Sequence, residues 1–214
     1  MANVNVKFGL KPISVIGGGI NSTSQYFIKS DASAIFQGSP VEVELTGGTA
    51  AIITSADGDG KQLLGVFAGC EYVDASTGKL TFKNTWAGSG TADTNHDIKC
   101  FVYDNPMQKF IIASDTTSTD KATARADIFK TAQLATATAG NTTTGLSSAM
   151  IDISTAEASD PSNPLMIVGV HEDVTNADHS AAGISYIVKL NNHVFASSSG
   201  DADAAISVSY TTLR

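Results

Sequence analysis

Charged side chains are scarce in this 214-residue chain, at 16% of residues against about 25% in ordinary soluble domains. Basic residues are scarcer still: 13 Lys and Arg face 21 Asp and Glu, for a net charge of −8. That balance argues against a phosphate-backbone binder, which needs clustered Lys and Arg. Two cysteines, Cys70 and Cys100, are too few for a disulfide scaffold. Buried free thiols are the default expectation, and a disulfide requires their strands to be neighbours. No apolar run approaches the roughly 18 residues of a membrane-spanning helix. The opening MANVNVKFGL shows no basic segment followed by an apolar one, so no secretory signal is expected. Aromatics make up 7%, with a single tryptophan, Trp86, expected in the core or, on the other reading, as an interface anchor. What the chain has in quantity is small residues: 28 Ala, 23 Ser and 23 Thr. With 42% hydrophobic residues it has the means to bury a core, and its length suits one large domain or two small ones.

Period-two alternation dominates the pattern. Val41, Val43 and Leu45 alternate with Glu42 and Glu44, and Leu80 and Phe82 flank Thr81. Ile184, Tyr186, Val188 and Leu190 alternate with Ser185, Ile187 and Lys189; Ile206, Val208 and Tyr210 alternate with Ser207 and Ser209. Each suits a half-buried strand of an antiparallel sheet. Denser apolar runs at 63–67, 99–103, 110–113 and 165–170 are short and bounded by Gly, Pro, Asp or Asn, which predicts buried strands. Gly47-Gly48, the 57–60 stretch and Gly88-Ser89-Gly90 read as loops, and 74–78 as a hairpin connection. One helix is expected, capped by Thr119 or Asp120 and running through Ala124, Ile128 and Lys130, with a thin stripe of Ala126, Phe129 and Leu134. The fold class is mainly β: antiparallel β-barrel or sandwich units with at most one short helix. Residues 136–144 (TATAGNTTT) form a seam. They read as a linker between an N-terminal β-rich domain (1–135), with an extended arm, and a C-terminal β-rich unit (145–214), or as a long loop on one continuous domain.

The sequence offers no constellation that compels catalysis, cofactor binding or metal binding. Asp93, Asn95 and Asp97 have the opening spacing of an EF-hand loop, but Ile98 stands where that loop needs glycine and Asp104 where it needs glutamate. A solvated turn is expected there, and also at Asp57 and Asp59. His96, His171, His179 and His193 share no ligand spacing. No G-x-S-x-G elbow surrounds a serine. Gly17-Gly18-Gly19 has no Lys-Ser/Thr behind it and reads as a turn before a strand near 26–28.

An ordered set of short motifs remains. Phe8-Gly9-Leu10-Lys11-Pro12 is followed by Gly17-Gly18-Gly19, Gly38-Ser39-Pro40-Val41, LGVFAG at 64–69, and Tyr72-Val73-Asp74. Thr85-Trp86, Tyr103-Asp104-Asn105-Pro106, TGLS at 144–147, IDIS at 151–154 and PLMIVG at 164–169 come next, and then Lys189-Leu190-Asn191-Asn192-His193. In this order, over residues 8–195, the set resembles a family of tailed-bacteriophage virion proteins regarded as capsid decoration, or cement, proteins. Lys11, Ser39 and Asn105 depart from the family pattern, which has Arg at the first and acidic residues at the other two.

The resemblance implies a structural protein on the outer surface of an icosahedral shell, made in the host cytoplasm. It would cement neighbouring subunits of the major capsid protein against the pressure of packaged DNA. It would act as a homo-oligomer, dimer or trimer, with no nucleic-acid or membrane partner and no cofactor. It assigns structural roles to Phe8, Gly9, Leu10, Pro12, Gly38, Pro40, Trp86, Pro106, Asn191, Asn192 and His193. Capsid contact is expected on the arm, Asn3, Val4, Asn5, Val6, Lys7 and Phe8, whose alternation suits addition of a strand to a neighbour's sheet. The arm reads equally as the first strand of the chain's own barrel. A tail, fibre or adhesin module binding host glycan is the main alternative function, and a virion-associated hydrolase the lesser one.

Overall fold

Fourteen strands and one helix follow one another in the computed structural model, which describes residues 3, 7–46, 49–54, 62–136, 139–158 and 160–196, with backbone alone at 44–46 and 49–54. They are β1 (Lys11–Val15), β2 (Ser24–Ile28), β3 (Ile35–Phe36), β4 (Pro40–Thr46), β5 (Thr49–Thr54), β6 (Leu63–Val73), β7 (Leu80–Lys83) and β8 (Thr85–Trp86). After these come β9 (Ile98–Tyr103), β10 (Gln108–Ala113), α1 (Lys121–Ala126), β11 (Thr131–Ala135), β12 (Met150–Glu157), β13 (Leu165–Val170) and β14 (Ser185–Leu190). The protein is mainly β, with antiparallel sheets and one short helix, as the alternation predicts.

Alternation along 184–190 places β14 inside the first sheet. Ile184, Tyr186, Val188 and Leu190 are all buried, and β14 is hydrogen-bonded on both edges in the order β1-β10-β14-β13-β11-β12. Its inner face joins Phe110, Ile112, Ile151, Leu165 and Ile167 in one core. The second sheet runs β4-β5-β2-β9-β6-β7, and β4 also pairs with β6, so five of its strands close a ring around a second core. The β2–β5 contact is parallel and the other pairings antiparallel.

β6 explains why its sequence is a continuous apolar run. Leu63 and Val66 enter the first core; Leu64, Phe67, Cys70 and Tyr72 enter the second. A strand buried on both faces has no polar face to alternate with. Register shifts against β4 and β9 let it serve both cores.

Two details differ from the sequence expectation. The helix ends at Ala126 with Asp127 as its C-cap, so Phe129, at a left-handed φ of 71°, and Leu134, in strand β11, lie outside it. Asp120 is its N-cap, accepting from the Thr123 N–H at 2.7 Å. Leu80 and Phe82 do form a strand, but they point away from the core and are 69% and 66% exposed.

The 136–144 seam does not separate sheets: β1 and β10 precede it, yet β10 is paired with β14. Its described part is a tight loop in which the Asn141 side-chain oxygen accepts from the N–H groups of Thr143 and Thr144. Gly47-Gly48, the 57–60 loop and the strand expected at 206–210 lie outside the described residues.

Much of the acidic excess sits in turns. Asp74, Asp93, Asp152, Asp160, Asp173 and Asp178 each accept from the N–H two residues on. Ser or Thr hydroxyls share five of those six carboxylates, all but that of Asp93, so Asp-x-Ser/Thr pairs serve as turn units here.

Cys70 and Cys100 face each other directly across β6 and β9 as free, buried thiols. Burial pushes both up to about 12. Almost no thiolate exists near neutral pH, and thiolate is the reactive form. Labelling with a thiol-specific disulfide reagent is expected to be negligible in the native protein and complete in urea. Fast native labelling of either cysteine would contradict this packing.

Candidate functional site

Six of the eleven resemblance residues, Gly9, Leu10, Gly38, Asn191, Asn192 and His193, lie at two backbone joints between the sheets. At the first, the chain entering β1 crosses the turn between β3 and β4. The Leu10 N–H donates to the Gly38 carbonyl and the Gly38 N–H to the Phe67 carbonyl, each at 2.9 Å. The 145–147 loop closes the crossing: the Gln37 N–H donates to Gly145 and the Ser147 N–H to Gln37. Gly9 and Gly38 have φ of 69° and 87°, and a Cβ on Gly9 would lie 2.7 Å from both the Gly38 oxygen and the Ser147 Cβ. Only glycine allows so close an approach at such a φ.

At the second joint, the chain leaving β14 runs beside the start of β6. The Leu63 N–H donates to the Asn192 carbonyl at 2.8 Å, and the Val194 N–H donates to the Leu63 carbonyl at 3.0 Å. Asn191 is buried and its amide donates to the carbonyls of Asn163 and Asp160. His193 is buried, and its Nδ1 accepts from the Phe195 N–H at 3.0 Å.

Between the sheets lies an open groove of about 620 Å³, within the range of ligand pockets. Phe8, Lys11, Tyr103, Leu146, His171 and Asp173 are among its walls. The His171 Nδ1 is buried and lacks a hydrogen-bond partner. Chain pattern gave no sign of this groove, because its walls come from segments far apart in sequence.

The other expected residues are placed as follows. Asn3 is held by the chain's own 178–182 loop: its amide donates to the carbonyls of Asp178, Ala181 and Ala182, and its oxygen accepts from the Asp178 N–H. Val4, Asn5 and Val6 lie outside the described residues; Lys7 is exposed and Phe8 half-buried. Pro12 sits in edge strand β1, Pro40 opens β4, and Pro106 lies in the turn between β9 and β10, all places where a missing N–H is tolerated. Trp86 is fully buried, donating to the Ala32 carbonyl at 3.2 Å and meeting Tyr72 edge-on at 5.5 Å.

Asp93 uses its carboxylate to close its own turn on Asn95. No group of three or more metal-ligating side chains occurs among the described residues. Ser118 Oγ and His179 Nδ1 approach to 3.2 Å. The nearby Asp120 carboxylate caps α1 through one oxygen, accepting from the Thr123 N–H.

Protonation of His193 is expected to loosen the second joint, because it would cost the Nδ1 acceptor its bond from the Phe195 N–H. Burial lowers the His193 pKa from its ordinary 6.5, with Lys189 acting the same way and Asp104 opposing. Stability from neutral His193 is therefore present above about pH 6.5 and is lost as pH falls through the lowered value. The turn carboxylates follow at lower pH. Backbone N–H groups hold Asp74, Asp93, Asp120 and Asp173 below the usual carboxylate range, and the Ser180 hydroxyl does the same for Asp178. Their contribution is present above about pH 4 and fades below it. The melting temperature is expected to fall in two stages on acidification, and His193→Asn is expected to remove the first. A flat profile from neutrality to about pH 4.5 in the wild type would contradict this assignment.

No protein-family model, curated protein or solved structure matches the chain.

Proposed function

We propose that this chain is a structural virion protein that binds the outer surface of an icosahedral phage capsid and cements neighbouring major capsid protein subunits against internal DNA pressure. The observation that carries the reading is that six of the eleven resemblance residues fall at the joints. Gly9, Leu10 and Gly38 lie at the crossing of β1 with the β3–β4 turn, and Asn191, Asn192 and His193 lie where the chain runs beside β6. A protein that bridges capsomers must carry load between its contacts without its own parts sliding. Two sheets locked by backbone hydrogen bonds at two places meet that need. The net charge of −8 disfavours the packaged DNA as a partner. Several modest contacts per oligomer would sum through high effective concentration. Capsid contact is proposed on the arm, Asn3 to Phe8, whose Asn3 is hydrogen-bonded to the chain's own 178–182 loop.

The test is DNA retention on heating. Shells lacking the protein are expected to release their DNA at a lower temperature than shells to which it has been added back. Equal release temperatures would overturn the cement role. A glycan-binding tail or fibre module draws support from exposed Phe27 and Phe82; it predicts saturable sugar binding and no effect on DNA retention.

A further inference from the structure

The outer face of the second sheet carries one row of side chains that is complementary to itself. Strand register sets Phe27 opposite Lys99, Lys99 opposite Glu71, and Glu71 opposite Phe82, across β2, β9, β6 and β7. Their inward neighbours Ile28, Cys100, Cys70 and Tyr72 belong to the second core, so this row faces away from it. Phe27 is 47% exposed and Phe82 66% exposed, and Leu80, the next outward residue of β7, adds to the apolar surface. At the centre Lys99 Nζ and Glu71 Oε1 lie 3.5 Å apart, both partly exposed. The Phe82 ring lies against Gly69, whose missing side chain gives it room, with the Phe101 ring 5.9 Å away.

We infer that this face docks on the same face of a second copy of the chain, across a two-fold axis parallel to the strands and midway between β9 and β6. The axis reverses the row. Lys99 of each copy then sits over the partner's Glu71, and Phe27 over the partner's Phe82. Four strands at about 4.8 Å spacing spread the row over about 14 Å. The order aromatic, cation, anion, aromatic is what self-pairing requires, because a row of one sign would repel its own copy. The phenylalanines supply apolar burial on both flanks, and an isologous contact of this kind closes at two copies. The dimer stands whether or not the protein binds capsids.

Sedimentation equilibrium of the full chain tests it. The wild type is expected to be a dimer. Lys99→Glu opposes like charges twice and is expected to weaken association by at least about tenfold; adding Glu71→Lys is expected to restore it. Phe82→Ser, at an exposed position, is expected to give a folded monomer, with circular dichroism confirming the fold. A wild type that stays monomeric overturns the inference and leaves the row to a capsid subunit or a sugar. An oligomer whose dissociation is unmoved by both Lys99→Glu and Phe82→Ser overturns it too.

Discussion

Gly9→Ala is expected to cost about 3 kcal/mol or more of unfolding free energy. Two effects add. The left-handed φ of 69° alone costs a residue with a Cβ roughly 1–2 kcal/mol. The new methyl must also displace the Gly38 carbonyl or the Ser147 Cβ, each 2.7 Å away. Neither is the free end of a long side chain, and the Gly38 carbonyl is already the acceptor for Leu10. Gly78 provides the control. Its φ is 65°, nearly that of Gly9, but its missing Cβ has open space around it. Gly78→Ala is expected to cost only the conformational part, about 1–2 kcal/mol. Urea denaturation of both variants separates strain from crowding, and equal losses would mean that the joint is not tight.

Trp86→Ala is expected to cost about 3–5 kcal/mol, the range for emptying a large buried aromatic site. Trp86 has no exposure and packs edge-on against Tyr72 inside the ring of strands. Its indole N–H also satisfies the Ala32 carbonyl. Trp86→Phe keeps most of the volume but removes that donor, and is expected to cost about 1–3 kcal/mol. Thermal denaturation measures both. A loss below about 1 kcal/mol for the alanine variant would contradict the second core as described.

Legibility in the sequence followed the physics of each element. β14 was plain, because one buried face imposes strict alternation at Ile184, Tyr186, Val188 and Leu190. β6 showed as an apolar run, but only the structure reveals that the run serves two cores. β7 gave the right strand with the wrong consequence: alternation says that Leu80 and Phe82 share a face, not which face is wet. Leu134 read as the end of the helix's apolar stripe; the pairing of Thr131–Ala135 with β12 and β13 places it in strand β11 instead. The joints were visible only as a list of motifs. Nothing local tells Gly9 that Gly38 and Ser147 will meet it, since contacts 29 and 138 residues away leave no periodicity. The Asp-x-Ser/Thr turns were legible in principle, since an Asp two residues before a Ser or Thr is a local turn signal, but of these only the 74–78 connection was read as a turn.

Co-sedimentation with capsids bears most directly on the cement role. Purified protein would be mixed with expanded shells that lack it, and with unexpanded shells as control. Stoichiometric binding to expanded shells alone is the predicted result, and the copies bound per capsomer would identify the symmetry axis occupied. Absence of binding to both kinds of shell would contradict the account and turn attention to host-surface sugars.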